Sequence, residues 1–101
     1  MEKDYLHGYC NEWVTDNFKS GDKIIAFIEY DYDIERCALL HACLYRNGLY
    51  LDVRGYMQTE EEVLDDFDYG DYEVLSFDTV NDFNDLYNNL EQVDPESIGL
   101  L

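Results

Sequence analysis

Positive charge is scarce in this chain. Lys and Arg number 6 against 24 Asp and Glu in 101 residues, and the net charge is −18. Without basic residues to displace counterions, direct nucleic-acid binding is excluded. The same charge disfavours an anionic membrane surface. The longest aliphatic and aromatic run, Ile24 to Ile28, is far too short to span a bilayer. The N-terminus, MEKDYLHGYC, has no apolar signal region. Cysteine is sparse as well: Cys10, Cys37 and Cys43 are odd in number and share no repeated spacing. That argues against a disulfide framework and for a reducing compartment, so a cytoplasmic protein is expected. Proline occurs once, at Pro95, and no repeat or flexible linker is visible.

Aromatic residues, by contrast, are plentiful. Ten Tyr and five Phe help bring the hydrophobic share to 47%. Acidic disordered chains lack such residues, so the composition points to a folded core. The length suits one domain, 1–101, with 94–101 expected as a loosely ordered tail.

Periodicity predicts a helix from Tyr5 to about Lys19, with Tyr9, Cys10, Trp13, Val14 and Phe18 on one face and Ser20-Gly21 as the stop. Lys23 to Asp31 reads as a central strand, apolar on both faces at its start. Cys37–Tyr45 and Leu49–Arg54 read as strands around Asn47-Gly48, a strong hairpin signal. A two-residue turn there pairs Arg46 with Leu49, Leu44 with Leu51 and Ala42 with Val53. One face is then Leu40, Ala42, Leu44, Leu49, Leu51 and Val53. The other is His41, Cys43, Tyr45, Tyr50, Asp52 and Arg54.

Thr59 and Glu62 have capping-box spacing for a short helix, with Val63, Leu64 and Phe67 inward. Tyr72–Phe77 reads as a strand. Asp78 or Thr79 opens a last helix with the stripe Val80, Phe83, Leu86, Tyr87, Leu90 and Val93. The fold class is α+β: a mostly antiparallel sheet of about four strands with helices on one face, in the order α-β-β-β-α-β-α.

The acids cluster. Glu60 to Glu73, EEEVLDDFDYGDYE, holds eight carboxylates in fourteen residues and no base. Small soluble domains usually carry a net charge of roughly 2–8 in magnitude, so solubility does not require this density. The segment Asp66-Phe67-Asp68-Tyr69-Gly70-Asp71 fails the calcium-loop pattern at its fifth, sixth and twelfth positions, and no metal or other cofactor is expected. The remaining reading is that the carboxylates stand in for phosphates. Candidate contacts are Asp31, Asp33, Glu61, Glu62, Asp65, Asp66, Asp68, Asp71, Asp82 and Asp85, interleaved with Tyr30, Tyr32, Tyr69 and Tyr72.

EEEVLDDFDYGDYE and EYDYDIE, in a small aromatic-rich chain with pI near 4.1, resemble the acidic stretches of phage-encoded DNA mimics, the anti-CRISPR and anti-restriction proteins. The resemblance implies an inhibitor without turnover. It would occupy the DNA- or RNA-binding groove of a host defence complex such as CRISPR-Cas or a restriction enzyme. The expected partner is a basic nucleic-acid-binding protein or ribonucleoprotein, with the chain a monomer or weak dimer. An acidic adaptor for an unrelated basic protein is an alternative.

A second alternative is catalytic. Cys10 near a helix start, His41 on a strand and Asp52 on the next follow an order similar to that of papain-like cysteine hydrolases, particularly the small cell-wall amidases. The resemblance implies Cys10 as nucleophile, His41 as base and Asp52 as the residue orienting it. Against it, Cys10 falls in an apolar stripe, and HGYCNEW lacks either branch's local signature.

Overall fold

The computed structural model describes residues 8–100. The chain forms α1 (Cys10–Asn17), β1 (Lys23–Asp31), β2 (Arg36–Arg46), β3 (Leu49–Asp52), β4 (Gly55–Met57), α2 (Glu60–Leu64), β5 (Tyr72–Phe77) and α3 (Val80–Asn88), followed by a 3-10 turn at Leu90–Gln92. The strands make one antiparallel sheet in the order β4-β3-β2-β1-β5. The α+β class holds, with five strands instead of about four.

β1 explains the layering. Ile24, Ala26 and Ile28 point to one face, and Ile25 and Phe27 to the other, all of them buried. A strand apolar on both sides needs cover on both sides. α1, α3 and the 3-10 turn cover the first face through Val14, Phe83 and Leu90. α2 covers the second through Val63 and Leu64. Helices on a single face, the arrangement expected from sequence, would have left Ile25 and Phe27 in water.

The hairpin forms as expected at Arg46–Leu49 and Leu44–Leu51. Asn47 and Gly48 both take positive φ, 55° and 80°, as a tight two-residue turn demands. The third expected pair, Ala42–Val53, does not form. β3 stops at Asp52, whose carboxylate accepts the Arg54 N–H at 2.8 Å and turns the chain into β4. Val53 sits in that turn and is exposed. A bulge between β1 and β2 pairs Phe27 with His41 but Ile28 with Leu39. Leu39 therefore joins Ala42 and Leu44 on the first face, and Leu40 packs with the second cluster.

α1 begins at Cys10 and ends at Asn17, where Phe18 turns extended. The expected stretch Tyr5–His7 lies outside the described residues. Gly21, with φ 92°, serves the next turn and not the helix end. Arg46 fixes that end: its guanidinium donates to both oxygens of buried Asp22 and to the Asn17 carbonyl. Residues 94–100, expected to be loosely ordered, form hydrogen-bonded turns, and Ile98 and Leu100 pack on the first core.

Candidate active site and the acidic surface

Two of the three catalytic candidates meet. His41 Nε2 lies 2.9 Å from Asp52 Oδ2, with both side chains buried. Arg54 grips the same carboxylate through Nε and Nη2, donates to the Val63 carbonyl, and pairs with Asp66 at 3.0 Å. The His41 ring rests on Phe67, centroids 4.5 Å apart. Burial alone would raise the Asp52 pKa. Hydrogen bonds from His41 and Arg54 outweigh it and hold the group at about 2. A carboxylate only accepts, so Nε2 carries a proton and donates it to Asp52. Nδ1 is buried and has no hydrogen-bond partner among the described residues.

Cys10 is the first residue of α1, where backbone N–H groups have no helical partner. Its thiol is raised by burial, with the N–H groups of Ala42, Asn11 and Cys10 itself pulling the other way. Ala42 follows His41 in β2. β3 pairs with β2 only over Leu44–Arg46, so Ala42 belongs to a stretch of β2 with no strand on that side among the described residues. α1 therefore packs its inner face on the first core and brings its start to the open edge of β2, with Cys10 in the first core while the His41 ring packs on Phe67 at the second. Since Nδ1 has no partner, thiol and imidazole are not hydrogen-bonded to each other. Such bonds often tighten only when substrate binds.

Cys10 also lines a cleft of about 480 Å³, with Gly8, Asn11, Arg36, Ala38, Leu39, Leu40, Tyr87, Asn88 and Leu90. Cys37 and Cys43 are fully buried. The Cys37 thiol donates to the Val93 carbonyl, and burial raises the Cys43 thiol far above its usual range. Neither Cys37 nor Cys43 lines the Cys10 cleft.

The acids divide into sets. Glu61, Glu62 and Asp65 are exposed along α2, around a shallow depression. The capping box forms in part: Thr59 Oγ1 accepts from Glu62 N, while the Glu62 carboxylate accepts from Gln58 N and not from Thr59. Asp68 and Asp71 lie in the loop beyond α2, beside Glu29, Tyr30 and Tyr32 at the end of β1. Asp31 ends β1, and Asp33 sits at the hairpin tip with its N–H on Asp31 Oδ1. Tyr72 joins the groups, reaching Glu60 with its hydroxyl and Tyr69 with its ring.

Asp66, Asp82 and Asp85 depart from the expected array. Asp66 is ion-paired with Arg54, so part of its charge is offset within the molecule. Asp82 and Asp85 are on α3, which covers the opposite face of the sheet from α2. Their acidic character was visible in sequence, but the side of the sheet was not. Arg54, the lone base of the second half, was the overlooked signal: its nearest acids were bound to lose some of their outward charge.

Among the described residues, no group of His, Cys, Asp and Glu has an arrangement to hold a metal ion, and no helix is long and apolar enough to cross a membrane. No family model, curated protein or solved structure matches this chain.

Proposed function

We infer that the chain is a small cysteine hydrolase in which Cys10 is the nucleophile, His41 the base and Asp52 the residue that orients and charges the base. The observation that carries this reading is the His41 ring. One nitrogen is held by a buried carboxylate, and the other is buried and without a hydrogen-bond partner among the described residues. A buried polar atom left unsatisfied is costly and calls for an explanation. Proton abstraction from the thiol at the edge of the same strand supplies one.

The chemistry follows from these groups. Nδ1 takes the thiol proton as Cys10 Sγ attacks an acyl carbon. The carbonyl electrons move onto oxygen, which the N–H groups at the start of α1 stabilise. His41 passes the proton to the leaving amine or alkoxide, and an acyl thioester remains. Water, deprotonated by the same nitrogen, then hydrolyses the thioester and restores the thiol. Because burial keeps the resting thiol protonated, the base must act during attack, not before it. The open edge of β2 suits an extended acyl chain, whose backbone would pair with the strand. The net charge of −18 favours neutral or cationic substrates.

A direct test offers the protein an activated acyl ester and weighs it intact. The reading expects one acyl group on Cys10, absent in Cys10→Ala and greatly slowed in His41→Gln. Acylation that is equally fast without His41 would remove the triad.

The acid-mimic inhibitor is supported by a different observation. Glu61, Glu62 and Asp65 line one depression at α2, and Asp68 and Asp71 line another with Tyr30, Tyr32 and Tyr69 at the end of β1, where Asp31 and Asp33 follow in the chain. Such a face would meet the basic groove of a nucleic-acid-binding protein. Its test is a low-salt pull-down with heparin elution, in which a DNA-competitive target supports it. Capture that resists heparin and high salt counts against it.

A further inference from the structure

A second cavity, of about 240 Å³, opens beside the β1–β2 hairpin and shares no lining residue with the Cys10 cleft. Its walls include Tyr30, Tyr32, Tyr69, Glu29, Asp68 and Asp71. Tyr30 and Tyr32 meet edge to face, centroids 4.9 Å apart at 73°. Tyr69 stands likewise against Tyr72, 5.3 Å apart at 83°. Tyr32 is 75% exposed and Tyr69 42%, so neither ring serves the core. Glu29 is half-buried. Burial, and then the nearby Asp31 charge, raise its pKa. Among the described residues, no Lys or Arg is ion-paired with Glu29, Asp68 or Asp71.

We propose that this tyrosine-walled cavity binds an alkylated ammonium head, with the ring faces taking the alkyl groups and Glu29, Asp68 and Asp71 supplying the counter-charge. The combination selects the ligand. Carboxylates alone would accept any cation. Aromatic faces favour one that is large and weakly hydrated and that packs its alkyl groups against exposed ring surface. A small metal ion keeps its water and needs dense oxygen ligation, which the residues here do not provide. Trimethyl-lysine on a peptide and free choline share this chemistry. The site has no lining residue in common with the Cys10 cleft and stands whether or not Cys10 is a nucleophile.

The test is a titration of the full chain followed by the tyrosine ring signals in NMR. Choline, a short trimethyl-lysine peptide, its unmodified lysine counterpart and 3,3-dimethylbutanol, the neutral shape-match of choline, are added in turn. Saturable shifts at Tyr30, Tyr32 and Tyr69 are expected with choline or the trimethylated peptide, whichever binds more tightly naming the source. Neither the neutral alcohol nor unmodified lysine should match them. Tyr69→Ala should weaken binding about tenfold, and Tyr32→Phe, which keeps the ring face, should retain it. Cys10→Ala should bind as the parent does. The proposal is overturned by no saturable shift, by equal shifts with the neutral alcohol, or by unchanged affinity in Tyr69→Ala.

Discussion

His41 Nε2 and Asp52 Oδ2 stand 2.9 Å apart on neighbouring strands, inside the protein. Two short-range features of the chain make this contact. The Asn47-Gly48 turn sets the register of β2 on β3, and the end of β3 at Asp52 places the carboxylate diagonally from the imidazole. Arg54, two residues on, then closes the carboxylate from the other side.

Asp52 therefore has two donating partners, His41 fully buried and Arg54 partly so, and its removal strands both. Asp52→Ala is expected to cost about 3 kcal/mol in urea denaturation, the usual penalty for breaking a buried pair. A loss below about 1 kcal/mol would mean that Arg54 and His41 relax without it.

The same group sets an acid limb. Asp52 sits at about 2 in the folded protein against an ordinary 3.8. The folded form is the stronger acid, so this contribution is complete above pH 4 and disappears as pH falls through about 2. It amounts to something on the order of 2 kcal/mol. Glu29, raised by burial and then by Asp31, acts in the opposite sense and gains stability on protonation. The difference between parent and Asp52→Asn stability, measured from pH 6 to pH 2, should shrink towards the acid end and isolates the Asp52 part.

Fold and site were legible to different depths. The Asn47-Gly48 hairpin and the Thr59 and Thr79 caps rest on local rules and appear where the residues indicate; the last stripe packs on the first core, but α3 ends at Asn88, so Leu90 and Val93 reach that core from the 3-10 turn and its end. β4 was not legible: three residues after an Asp-anchored turn carry neither alternation nor a turn dipeptide. The Leu40 bulge was hidden for a similar reason, since Leu39 and Leu40 are equally apolar and only the pairing with β1 decides between them. At the site, the facing of His41 and Asp52 was readable from strand parity. The approach of Cys10 to Ala42 was not, because it depends on where β3 stops and α1 docks.

The acids are not equivalent, and stability should separate them. Asp65, Asp68 and Asp71 are exposed, with no base paired to them among the described residues. Their joint change to Lys relieves repulsion and should raise the melting temperature at low salt. Asp66→Lys instead sets a cation against Arg54 and should lower it. Identical behaviour of the two variants would contradict the ion pair.

Phe27 is fully buried in the second core, edge to face with Tyr72. Phe27→Ala should cost about 3–5 kcal/mol, a large share of the stability of a small domain. A cost near zero would show that α2 does not seal that face.

Iodoacetamide labelling across pH, read by peptide mass, tests the central claim most directly. The account predicts that Cys10 alone is alkylated in the folded protein, at a rate that falls about a hundredfold in His41→Gln, the usual scale of a lost general base. Labelling of Cys10 that is absent, or that is unchanged by removing His41, would contradict it.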